Sequence, residues 1–232
     1  MSSNTSTRTS PAPTLASAPT PALGSDAGAT VTAGPVPVLP SAEELAARDN
    51  RVAIGPDVAT RGRVAILTAD RVEDVEFFYP YYRFVEEGYA VDVITPSGGA
   101  LTGYKGMGLK ETIALDQVDP RDYDLLFIPG GLAPGELRRD PRAIAFVQAV
   151  AGWGTTIGAV CHGPQVLVDA GLVAGRSMTS WHEVAPEITA AGGTYLDQAL
   201  VEDGQFITSR KPGDMPLEVS RLLQRLTAAT PA

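Results

Sequence analysis

From Arg63 onward, short apolar runs alternate with stretches in which apolar residues recur every three or four positions. That is the pattern of strands buried on both faces interleaved with amphipathic helices. Val64-Ala65-Ile66-Leu67, Val91-Asp92-Val93-Ile94, Leu125-Leu126-Phe127-Ile128 and the run from Thr156 to Val160 read as four such strands. Val75, Phe78, Tyr79, Tyr82 and Val85 fall at helical spacing until Gly88 ends them, and Pro80 is expected to kink that helix. Further helices are predicted over 141–152 and 164–170, short strands near 199–208, and a C-terminal helix near 214–227. Strand, helix and strand at this rhythm predict an α/β fold with a mostly parallel sheet and helices on both faces.

The first forty residues break the pattern. Thirty of them are Pro, Ala, Thr, Ser or Gly, none is aromatic, and Leu15, Leu23 and Leu39 are the only large aliphatics besides valine. Such a segment buries too little apolar surface to offset the entropy of ordering it, so residues 1–40 are expected to be a disordered tail. Arg8 is its only basic side chain and no long apolar run follows, which argues against a secretory signal. Residues 41–61 read as a linker, where Ser41 and Glu44 have the spacing of a helix-capping box. The globular domain is expected over 62–228.

Arg8 and Asp26 cancel, so the whole net charge of −9 belongs to residues 41–232. An acidic domain without clustered Lys and Arg excludes a nucleic-acid-binding surface. No window carries the roughly 18 consecutive apolar residues of a membrane span. The chain has one cysteine and two histidines, too few for a disulfide or a Cys-rich zinc site. We therefore expect a cytoplasmic protein with no metal and no cofactor, whose lone thiol serves either packing or chemistry.

Placement favours chemistry. In open parallel sheets, ligands bind beyond the carboxyl ends of the strands. Glu73 follows the first predicted strand, Gly130-Gly131 the third, and Cys161-His162-Gly163 the fourth. In Gly158-Ala159-Val160-Cys161-His162-Gly163 a nucleophile stands between a strand and a helix start, flanked by small residues that tolerate a sharp turn. A thiol there faces the positive end of the helix, which is expected to lower its pKa. Ser97-Gly98-Gly99 follows a strand but lacks the spacing of a dinucleotide-binding loop.

Four blocks in order resemble the ThiJ/PfpI family: Val72-Glu73-Asp74-Val75-Glu76 with Tyr79-Pro80, Ile128-Pro129-Gly130-Gly131, Ala159-Val160-Cys161-His162-Gly163-Pro164-Gln165, and Thr208-Ser209-Arg210-Lys211-Pro212. The resemblance spans about 63–226. It implies a flavodoxin-like three-layer sandwich, class I glutamine amidotransferase-like in architecture, with Cys161 as nucleophile. It further implies Glu73 as the buried acid that reaches the thiol, the N–H groups of Gly131 and His162 as an oxyanion hole, and His162 as base or thiolate partner. Trp181, His182 and Arg210 are candidate pocket residues.

Peptidase-like members of that family complete a triad with a glutamate from a neighbouring subunit. Read without gaps, that position is Gly135 here, and Glu136 stands one residue late. An amidotransferase needs a histidine well downstream of its cysteine, and none follows His182. The resemblance thus points to a homodimer or higher homo-oligomer acting as a cysteine enzyme on small reactive carbonyls or early glycation adducts, of glyoxalase or deglycase type. An intracellular cysteine peptidase and an oxidative-stress sensor are the alternatives.

Overall fold

The first strand, β1 (Arg63–Leu67), is the spine of an eight-stranded sheet. Its residues from Val64 to Leu67 are fully buried, as a strand covered on both faces requires. The structure, a computed structural model, describes residues 61–229. The expected tail at 1–40 and the capping-box helix after Ser41 lie outside the described residues.

Beside β1 run β2 (Ala90–Thr95) and β5 (Leu125–Ile128), both parallel to it, with Val64 opposite Val91 on one side and Leu125 on the other. A hairpin of β3 (Gly99–Thr102) and β4 (Gly108–Ala114) extends the sheet beyond β2. On the far side, β6 (Thr156–Val160) pairs in parallel with β5 and with β10 (Phe206–Ser209), and β9 (Leu200–Asp203) closes that edge antiparallel. The strand order is β3-β4-β2-β1-β5-β6-β10-β9, parallel except at its two edges. A separate parallel pair joins β7 (Ser177–Met178) to β8 (Thr194–Tyr195).

Helix α1 (Asp74–Glu86) packs against β2 and against the C-terminal helix α6 (Met215–Ala229), which in turn covers β6 and β10. The other layer holds α2 (Ala133–Leu137), α3 (Pro141–Gly152) and α4 (Pro164–Asp169), with α5 (Ala185–Ala190) against α4. This is the three-layer α/β sandwich expected of the sequence.

Two differences from the expected pattern matter for the site. Helix α1 includes Pro80, and its buried face carries Glu76, Phe77, Pro80, Tyr81 and Phe84, not the positions the spacing assigned. Val75 and Tyr82, assigned inward by spacing, are exposed. The segment Phe77-Phe78-Tyr79-Pro80-Tyr81-Tyr82 is apolar all round, so periodicity alone cannot fix its phase. The β3–β4 hairpin was not expected, because its apolar residues Leu101, Leu109 and Ile113 are scattered among small, polar and charged ones and form no continuous run.

Candidate active site

Cys161 follows β6 directly, and with Arg71 it is one of two non-glycine residues with a left-handed backbone among the described residues, at φ 60°. A side chain pays roughly 1–3 kcal/mol for that conformation, so the surroundings must enforce it. They do so from both sides of the residue. The Cys161 N–H donates to the Ser209 carbonyl at 3.0 Å, the Trp181 N–H donates to the Cys161 carbonyl at 2.9 Å, and the Gly163 N–H turns back to the Val160 carbonyl at 2.7 Å. A Cβ on Gly163 would stand 2.3 Å from the Ile128 carbonyl, so only glycine lets α4 start this close to β5. The turn lifts the half-buried thiol into a cavity of about 340 Å³ lined by Glu76, Gly131, His162, Trp181 and Pro212, with Glu73, Tyr104 and Lys105 toward its mouth.

The acid at the thiol is Glu76, and the expectation of Glu73 is corrected. Glu76 is fully buried on α1, accepts from the Gly130 N–H at 3.0 Å and hydrogen-bonds the Cys161 side chain. Glu73 lies one helical turn earlier, where its carboxylate pairs with Lys105 Nζ at 2.6 Å. The inward phase of α1 decides between the two. A carboxylate on the same stripe as Pro80 and Phe84, at i+4 and i+8, was the signal that could have found Glu76.

Loop stitching holds α1 in that phase. An isolated antiparallel bridge joins Val72 to Gly131, the Leu132 N–H donates to the Arg71 carbonyl at 3.0 Å, and Asp74 accepts from the Lys105 and Met107 N–H groups at 2.7 and 2.8 Å. Gly131 sits at φ 76°, and a Cβ there would lie 2.3 Å from the Glu73 nitrogen. Gly131→Ala therefore combines a strained backbone with a backbone clash. It is expected to cost roughly 2–3 kcal/mol or more, and to lower Tm by about 5–10 °C in a thermal melt.

His162 Nδ1 lies 3.2 Å from Cys161 Sγ, so the strained turn brings two adjacent side chains together. Its Nε2 faces the exposed Glu183 carboxylate at 3.9 Å, a neighbour the sequence did not single out. Burial pushes the His162 pKa down, against the opposing charges of Glu183 and Glu187, so the imidazole is neutral near pH 7.

The thiol itself departs from expectation. Its pKa is raised, first by burial and then by the charge and hydrogen bond of Glu76, and the N–H groups of Gly131 and His162 that donate to the sulfur only partly offset this. Helix α4 is a mere six residues, too short for its dipole to reverse the balance. Glu76 is lifted to about 7, chiefly by burial and against the hydrogen bonds from Cys161 and Gly130, so near neutral pH much of it carries a proton.

Of the remaining candidates, only Trp181 reaches the thiol's cavity. Trp181 packs against the tilted His182 ring at 4.5 Å between centroids, while His182 and Arg210 line a neighbouring cavity. Arg210 is held by Asp214 and Asp197, both at 2.8 Å, so its charge is already partnered. Glu136 is exposed on α2 and lines a different cavity, beside Asp70 and Ser97.

A cysteine on a left-handed strand-to-helix elbow, at the carboxyl edge of a parallel sheet and backed by a buried acid, defines the single-thiol α/β sandwich proteins. The chain belongs to the DJ-1/PfpI family, whose model matches residues 62–225. It is 39% identical over 153 residues to a deglycase of Pyrococcus abyssi, covering 66% of this chain and 92% of that one. It is 35% identical over 167 residues to protein/nucleic acid deglycase 2 of Escherichia coli, covering 69% and 97%. Among solved structures it resembles a two-domain protein of Anabaena variabilis with DJ-1/ThiJ/PfpI-like and ferritin-like domains. That match has TM-score 0.70 and 36% identity over 74% of this chain and 50% of that one. Among the described residues no helix is long and apolar enough to cross a membrane.

Proposed function

We propose that this protein is a cofactor-independent cysteine enzyme acting on small reactive carbonyls, or on the early adducts they form with amines, as a glyoxalase or deglycase. The observation that carries the reading is the convergence on Cys161 Sγ of His162 Nδ1, the N–H groups of Gly131 and His162, and the Glu76 carboxyl. Several relatives more than a third identical to this chain are named deglycases, which supports the reading, while one at 36%, from Bacillus subtilis, is named a putative cysteine protease.

With Nε2 turned toward Glu183, the neutral imidazole protonated at Nε2 leaves Nδ1 free to take the thiol proton. The thiolate sulfur then bonds to an aldehyde carbon, and the carbonyl oxygen takes the electron pair and a place near the two N–H groups. Protonated Glu76 returns a proton to that oxygen, giving a hemithioacetal. Moving the aldehyde hydrogen to the adjacent carbon as a proton converts this to a thioester. Water then cleaves it to a hydroxy acid and frees the thiol, so methylglyoxal plus water becomes lactate with no external oxidant. For a hemiaminal adduct the thiolate sulfur displaces the amine from the former aldehyde carbon, the C–N bond breaking as the amine leaves with the Glu76 proton, and the hemithioacetal so formed goes on to the hydroxy acid as above.

The test is incubation of the full chain with methylglyoxal in buffer free of amines and thiols, reading lactate with a lactate dehydrogenase. Lactate formed in proportion to methylglyoxal lost is expected. Methylglyoxal loss without lactate, or no loss at all, would overturn the proposal. Assembly as a homodimer or higher oligomer belongs to the same proposal, and light scattering reads it directly.

A further inference from the structure

A second fully buried carboxyl lies behind the site and takes no part in the chemistry above. Glu218 is on the first turn and a half of α6, at 0% exposure. One of its oxygens, Oε2, accepts from the Ser209 hydroxyl, and the other has no hydrogen-bond partner. Ser209 is the residue whose carbonyl receives the Cys161 N–H. Glu76 repeats the arrangement on α1, with Oε2 on the Gly130 N–H and Oε1 without a hydrogen-bond partner. Helices α1 and α6 pack together, and α6 covers the ends of β6 and β10 that carry Cys161 and Ser209. Two acids thus flank the elbow from one layer, Glu76 at the cavity wall and Glu218 fully buried behind it.

We propose that Glu218 is a positioning residue for Cys161, which when neutral holds Ser209 and the elbow hung from it, and when ionised sets a second buried negative charge behind Glu76 that opposes the thiolate. An unpaired carboxylate with no cation against it is costly in such a place, which favours the neutral form. The charged or titratable groups acting on it are Glu76 from α1 and Asp214 from the turn before α6, and both are acids. Asp214 is itself bonded to Arg210. Burial foremost, with Glu76 and Asp214 adding to it and the hydrogen bonds from Ser209 and the Ala159 N–H opposing, raises the Glu218 pKa to about 8.

The sign of the effect follows from linkage. Glutamine is neutral at every pH, so Glu218→Gln leaves the thiol unchanged where Glu218 is protonated and eases thiolate formation where Glu218 is charged. The test is the rate of Cys161 alkylation by iodoacetamide across pH, in the full-length wild type and in Glu218→Gln. Rates within about twofold near pH 6.5 are expected, with the variant about three- to tenfold faster near pH 9.5, the effect of half to one pKa unit. A ratio that does not change with pH overturns the proposal.

Should Glu218→Gln fail to fold, Ser209→Ala carries the test. Loss of the Ser209 donor raises the pH at which Glu218 ionises, so alkylation between about pH 8 and 9 should exceed wild type, and an unchanged profile overturns the proposal. The inference rests on Cys161 as nucleophile. Alkylation needs no carbonyl substrate, so a missing lactate signal and a flat ratio are separable results.

Discussion

Cys161→Ala is expected to lower lactate formation from methylglyoxal by about 10⁴-fold or more, because the acid, the base and the oxyanion donors act only through a covalent step at sulfur. Cys161→Ser should do nearly as badly, since a hydroxyl in the same burial is still harder to ionise than the thiol that burial already raises. The backbone offers a control that separates chemistry from folding. At φ 60° any side chain is strained, and glycine is not. Cys161→Gly should therefore melt at or above Cys161→Ala while both are inactive, with a difference of about 1 kcal/mol in a denaturant titration. A Cys161→Ala protein that keeps more than a tenth of wild-type turnover would remove the cysteine from the mechanism.

Glu76→Gln should move activity and stability in opposite directions. The amide can still accept from the Gly130 N–H and donate to sulfur, so the geometry persists while proton transfer is lost, and turnover should fall by about 10²–10⁴-fold. The stability change runs the other way at alkaline pH. The folded chain holds the Glu76 proton up to about 7, whereas the unfolded chain releases it near the ordinary glutamate value of 4.5. Between those values the folded state binds more protons, so wild-type stability falls as pH rises through the window and stays reduced above it. Gln never ionises and escapes that loss. Its Tm should match wild type near pH 4, below the unfolded value, and exceed it near pH 8. Glu76→Leu, which leaves the buried Gly130 N–H without its acceptor, should instead lose about 1–3 kcal/mol. If Glu76→Gln lowered Tm equally at both pH values, the carboxyl would be a structural acceptor and no proton donor.

Much of the fold was legible because its signals are local. Runs such as Leu125 to Ile128, fully buried in the structure, allow only a strand covered on both faces. The elbow was legible for the same reason, since a nucleophile between a strand and glycine-flanked helix start implies a sharp turn wherever it is met. The β3–β4 hairpin was not, because its pairing is a contact across a sheet edge rather than a pattern along the chain.

The site divides along the same line. Sequence by itself determined that Cys161, His162 and Gly131 stand at strand ends of one sheet, because strand order along the chain and the parallel topology leave those ends on one edge. Only the tertiary structure decided which glutamate meets the thiol. Helix α1 is aromatic around most of its circumference, so its phase is set by the Val72–Gly131 bridge and the Asp74 contacts, and that phase buries Glu76 and leaves Glu73 to Lys105. The tertiary structure also reversed the expected sign at sulfur. A short helix dipole is visible in sequence, whereas desolvation and a facing carboxylate exist only once distant segments close around the thiol, and at this depth they outweigh it.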